Sequence, residues 1–261
     1  KVSAGLMTPV TGRRLVLTPR YTEFRRQSVG FYRRIEREMH CRLLIEKPAI
    51  RQFLNNEERT IFEQKLSPCG GQFVPINDSI GCITGFRMQD AARLYVPQFL
   101  EQTRLYFTSI GQYHQAELNL DADIVINESG ATVARLGIHD SAVVFCQGYQ
   151  QTRNPWYPTI PDSPAKGEIL RVQLSDYHED AVVHKGVWLV PDTFDSGEAG
   201  FLVGATYDRH RLDNTPTTTG REELLTGLKQ ITAGTVEVID HVAAVRAGTK
   251  RRRPVVGRHP D

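Results

Sequence analysis

Two short apolar segments, Gly186-Val187-Trp188-Leu189-Val190-Pro191 and Phe201-Leu202-Val203-Gly204-Ala205-Thr206-Tyr207, constrain this chain most. Each is too short for a core helix, rich in strand formers and separated from the other by a turn, which specifies an antiparallel hairpin. Pro216 to Leu228 then reads as a helix, because Leu224, Leu225 and Leu228 share a face and Thr217 to Thr219 offer N-caps. The chain returns through Val236-Glu237-Val238-Ile239-Asp240-His241, apolar as far as Ala244, and turns at Arg246-Ala247-Gly248. Antiparallel strands backed by a helix thus end in an arginine held on a rigid turn. A guanidinium fork matches a carboxylate bidentately, so this is a candidate anion receptor.

Upstream, Tyr21 to Met39 has Phe24, Val29, Phe31, Tyr32 and Ile35 near helical spacing, predicting an amphipathic helix with arginines on its solvated face. Turn signals at Ser67–Gly71 and Asn77–Asp78 bracket short strands at Gln72–Ile76 and Ile80–Thr84. Gln89 to Ser109 is expected as one long helix, kinked by Pro97, with Arg93 and Arg104 on the surface. Asp123–Asn127 and Thr132–Arg135 predict a second hairpin. Ala142 to Gly148 is continuously apolar and suits a parallel strand buried on both faces. Asn154 to Pro164 is a proline-rich crossing between lobes.

The 261 residues suffice for one large domain or two modest ones, and a net charge of +2 demands no polyanionic partner. No apolar run reaches the ~20 residues of a membrane-spanning helix, and no signal-peptide core opens the chain. Cys41, Cys69, Cys82 and Cys146 form no C-x-x-C pair, which argues against zinc and a disulfide framework. A cytoplasmic protein with free thiols is the expectation, and the oligomeric state is left open.

Several segments, in order, resemble one family. Arg246, Gly248, Thr249, Lys250, Pro254 and Gly257 are similar to the R-P-G-T-K-D-x-x-P-x-x-G signature of the D-amino-acid-oxidase-like flavoenzymes, glycine oxidases especially; Ala247 and Arg251 depart from it. Ser3 to Leu6 resembles the family's S-x-A-A-G-M/L segment, and Val143 to Gly148 its V-V-x-A-x-G strand. Lys166-Gly167-Glu168 resembles the K/R-G-E/Q-x-L entry to the substrate lobe, and the hairpin strands resemble Y-I-V-P and V-G-A-T.

The resemblance implies an α/β (α+β mixed) fold, with an incomplete Rossmann-like FAD-binding lobe (1–19, 85–165, 236–261) and an antiparallel-sheet substrate-binding lobe (20–84, 166–235). Because no G-x-G-x-x-G occurs and relatives continue past this C-terminus, the chain is expected to be an internal piece of a longer enzyme. Arg246 would bind a substrate carboxylate and Trp188 would line the pocket; Ala4, Gly5, Leu6 and Gly148 would contact FAD. No role falls to Tyr207 or His210. The implied activity is oxidation of the C–N bond of a carboxylate-bearing amino acid or secondary amine by hydride transfer to FAD. Two alternatives stand beside it: a flavoenzyme modifying tRNA wobble uridines, prompted by the cation run Lys250–Arg253, and a non-enzymatic remnant without cofactor.

Overall fold

The computed structural model describes residues 3–157, 163–193, 197–250 and 253–259. Its organising element is an eight-stranded sheet. The strands are β1 (Ala49–Gln52), β2 (Phe73–Asn77), β3 (Ile83–Met88), β4 (Ala165–Leu174), β5 (Val182–Lys185), β6 (Val187–Thr193), β7 (Ala199–Gly204) and β8 (Val236–Arg246). They lie in the order β8-β4-β7-β6-β5-β1-β3-β2. All pairings in this sheet are antiparallel except that of β5 with β1. The fold is mixed α/β, and the hairpin expected between 186 and 207 is β6–β7.

Alternation along the strands sorts side chains to two faces. On one, Leu170, Val172, Val187, Leu189 and Val203 meet Leu224 and Leu228 of a helix at Thr218–Leu228. That helix begins where its sequence says it should, with Thr217 Oγ1 accepting from Gly220 N at 3.0 Å. Burying each leucine there is worth roughly 1.5–3 kcal/mol. The other face carries Ile169, Val190 and Leu202, against which Ala4 packs. Toward β1–β3 the same face is closed by the helix Asn56–Lys65, whose Phe62 stacks on Phe86 with centroids 4.7 Å apart.

The helix at Tyr21–Met39 has the expected bounds. The expected helix from Gln89 is corrected: Ala92–Leu94 is a strand between Leu6–Met7 and Leu44–Ile45, and the helix runs only from Val96 to Ser109. Pro97 sits in its first turn, where a missing N–H is harmless, so it starts the helix rather than kinking it. Arg93 is likewise not on the surface but 8% exposed. The hairpin near 130 forms from Val125–Asn127 and Gly130–Val133, with a third strand at Ile138–Asp140.

The parallel strand expected at Ala142–Gly148 is absent among the described residues: no strand pairs with this run, Val144 is 82% exposed, and Gly148 opens a 3-10 turn, Gly148–Arg153. An apolar run becomes a strand only where a neighbour can take its backbone hydrogen bonds; here Phe145 stacks on Trp156 instead, at 5.2 Å. The expected lobe boundaries at 85 and 236 pass through the large sheet, since β3 and β8 are hydrogen-bonded within it. Arg251 and Arg252 of the cation run, and 158–162 of the proline-rich crossing, lie outside the described residues.

Candidate functional site

β8 lies beside β4 along its whole length and delivers Arg246 opposite Ala165. From there the guanidinium crosses β4 by lying on Gly167, where any Cβ would overlap it. Nη2 donates to the Thr206 carbonyl at 3.0 Å, and the guanidinium carbon stands 5.7 Å from the centroid of the Tyr207 ring. Burial pulls its pKa below the usual guanidinium value, and Tyr207 opposes that pull. Among the described residues no carboxylate pairs with it. A partly desolvated cation without a counter-charge is poised to take an anionic ligand.

Trp188 occupies the same face. The register places Trp188, Gly204, Ile169 and Val242 in one row across four strands, and the indole covers Gly204, where a Cβ would overlap its six-membered ring. A glycine inside a strand often marks a place where something must approach the backbone closely. Gly167 and Gly204 are two such places on adjacent strands, one under a guanidinium and one under an indole.

The segment Ala4–Leu6 reaches this face from the side. Ala4 is buried against Ile169, Val190 and Leu202, and Leu6 packs on the same cluster. Arg93 clamps the segment: Nε donates to the Ala4 carbonyl at 3.3 Å, Nη1 to the Pro191 carbonyl, and Nη2 to Asp192 at 2.7 Å. Gly5 has φ +67 and faces the Leu94 carbonyl so closely that no Cβ fits. Its requirement for glycine therefore arises within the fold. Leu6 and Arg93 also border a cleft of about 170 Å³ with Tyr95 and Pro191.

Gly148 is brought to the far edge. Its turn flanks β8, where Tyr149, Arg153, Asp213 and Val245 enclose about 140 Å³. With φ +58 and open space around it, Gly148 serves the turn's left-handed backbone. It opens that turn and does not end a buried parallel strand, as its sequence context had suggested.

Two buried polar clusters hold the frame. Behind the sheet, Lys166 Nζ donates to Asp213 at 2.6 Å, holding that carboxyl below its usual range, and stands 3.8 Å from Glu168. Glu168 receives the N–H and the hydroxyl of Thr217, both at 2.8 Å. On the site face, Arg51 pairs with Glu58 at 2.6 Å and stands 2.7 Å from His184 Nδ1, with His184 opposite Trp188. Burial first, and the Arg51 charge second, push the His184 pKa down to about 3.

Because the folded value lies below the unfolded one, His184 stays neutral in the native state while the unfolded chain takes up a proton between pH ~6.5 and ~3. Stability should therefore fall as pH drops through that window. Thermal melts from pH 7 to 4 are expected to show a shallower acid decline for His184→Gln than for the wild type; parallel curves would contradict the assignment.

Sequence reading missed Tyr207, which touches the Arg246 guanidinium, and Arg209, whose Nη2 donates to the Tyr207 hydroxyl at 3.2 Å. The usable signal was the pair of strand glycines, Gly167 and Gly204, which mark where side chains cross the sheet.

Comparison with known proteins agrees with this architecture. Solved structures similar to it include a glycine oxidase from Geobacillus kaustophilus, with 18% identity, a TM-score of 0.75 and coverage of 99% of this chain and 75% of that one. An iminodiacetate oxidase from Chelativorans sp. follows at 16% identity and a TM-score of 0.70, covering 100% and 78%. A glycine oxidase from Bacillus cereus matches at 16% and 0.69, covering 100% and 76%. The model of one family, described as FAD dependent oxidoreductase, matches residues 2–261. The chain therefore belongs to the DAO family of FAD-dependent oxidoreductases.

Proposed function

We propose that the chain oxidises the C–N bond of a small amino acid or secondary amine that carries a carboxylate, with FAD as acceptor. The observation that carries this reading is the convergence of the guanidinium of Arg246, which meets no carboxylate among the described residues, and an indole, Trp188, on one sheet face beside Ala4 and Leu6. The similar structures named as glycine and iminodiacetate oxidases act, by those names, on substrates of this class.

The residues present fit a flat cofactor ring. Ala205 packs in one apolar cluster with Trp188, Ile169, Ala4 and Leu6, so the surface around the indole is apolar. Ala4, Gly5 and Leu6 would hold the ring edge. Bound FAD supplies the two-electron acceptor, which no side chain here could.

Arg246 would bind the carboxylate with a charge-assisted bond worth roughly 1.5–3 kcal/mol. Held at one end, the substrate keeps its α-carbon in a fixed place, turning a bimolecular encounter into an intramolecular one. The Thr206 carbonyl fixes the guanidinium's angle through Nη2, and Trp188 excludes water from the other side while limiting what side chain fits. In the reaction the substrate loses two electrons and two protons, one from the α-carbon and one from nitrogen; water then hydrolyses the imine to a carbonyl compound and an amine.

Anaerobic addition of small amino acids and N-substituted glycines to the flavin-loaded protein tests this. The flavin visible band should bleach with carboxylate-bearing amines and stay unchanged with their decarboxylated counterparts. Bleaching that ignores the carboxylate, or no bleaching by any carboxylate-bearing amine, would overturn the reading.

A further inference from the structure

Tyr207 is 58% exposed, yet its ring lies against two cations. The Arg246 guanidinium carbon stands 5.7 Å from its centroid and that of Arg209 5.4 Å, with Arg209 Nη2 on the phenol oxygen at 3.2 Å. Neither arginine pairs with a carboxylate among the described residues. The loop that carries Tyr207 and Arg209 is fixed: Asp208 exchanges two backbone hydrogen bonds with Lys166, at 2.7 and 3.0 Å, and its side chain accepts from the N–H groups of His210 and Arg211 at 2.7 and 3.3 Å. Two like charges thus meet one aromatic ring, whose loop is anchored to β4. Cation–π attraction offsets part of their repulsion; an anion reaching both would remove the rest.

We infer that Arg246 and Arg209, both against the Tyr207 ring, form a two-point anion site that selects substrates carrying a second carboxylate. The inference rests on the reading of Arg246 given above and narrows it: the substrate is an amino dicarboxylate, with one carboxylate on Arg246 and the other at the mouth, on Arg209. Arg209, exposed and on a loop, adds selectivity without burying a charge, as mouth residues do when complementarity rather than raw affinity is at stake.

Calorimetric titration of the flavin-loaded protein with glutarate and with pentanoate tests it, since the two acids share a five-carbon chain and differ by one carboxylate. Neither is oxidised, so the readout is binding alone. The wild type should prefer glutarate by tenfold or more. That preference should collapse toward unity in Arg209→Ala, persist in part in Arg209→Lys, and weaken with added salt. Equal affinities in the wild type, or a preference untouched by Arg209→Ala, would overturn the inference. Pentanoate binding that depends on Arg246 while glutarate gains nothing would sink the second carboxylate and spare the oxidase reading. If neither acid binds in an Arg246-dependent way, both readings fall.

Discussion

Glu168→Ala is expected to lower the thermal midpoint by on the order of 10 °C. Glu168 is 3% exposed and lies where β4 passes the start of the helix Thr218–Leu228. Its carboxylate accepts both the N–H and the hydroxyl of Thr217, faces Gly220 with no room for a Cβ, and stands 3.8 Å from buried Lys166. His241 Nε2 is also 2.8 Å away, though not aligned for a hydrogen bond. Removing the carboxylate leaves the Thr217 N–H and hydroxyl without their acceptor, at about 1–3 kcal/mol each, while Lys166 keeps Asp213 at 2.6 Å. For a domain of this size each kcal/mol moves the midpoint by about 2–4 °C. Glu168→Gln, which keeps an acceptor for Thr217, should lose less. An alanine variant melting within about 2 °C of the wild type would show that the cluster contributes little.

The second large effect is on ligand affinity. Arg246→Ala should weaken carboxylate binding by about 10–150-fold, the equivalent of one charge-assisted bond of roughly 1.5–3 kcal/mol. Arg246→Lys should recover only part of this. An ammonium keeps the charge but cannot hold the Thr206 carbonyl and a bidentate carboxylate in one plane. Since the guanidinium rests on Gly167, its placement is a property of β4 as much as of β8. Stability should change little, because Arg246 pairs with no buried carboxylate among the described residues.

The elements with strong local signals were legible before any coordinates: the β6–β7 hairpin, the helix capped by Thr217, the helix from Tyr21 and the strand leading to Arg246. Arg246 was picked from its type at a strand end and from the family resemblance, and Trp188 from the resemblance alone, but their convergence depends on register, which places Trp188 over Gly204 and Arg246 over Gly167. The run Ala142–Gly148 shows the limit. Its composition is that of a buried strand, yet no described strand pairs with it, and composition does not reveal whether a neighbour exists. Arg93 failed for a related reason: an arginine among apolar residues looks solvated until Asp192, ninety-nine positions away, is brought to it. Gly5 was singled out through the family resemblance as an FAD contact; that the Leu94 carbonyl leaves no room there for a Cβ was not legible. Tyr207 and Arg209 gave no periodic signal, and only the loop's attachment to Lys166 brings them to Arg246.

The most direct measurement is the dissociation constant of a small non-reacting carboxylate, read from the flavin band shift on titrating wild type, Arg246→Lys and Arg246→Ala. The account predicts a perturbation that saturates tightly in the wild type, weakens in the lysine variant and falls at least tenfold in the alanine variant, with melting midpoints unchanged. Equal affinity in all three proteins would mean that the guanidinium over Gly167 does not face the ligand, and the proposed activity would lose its basis.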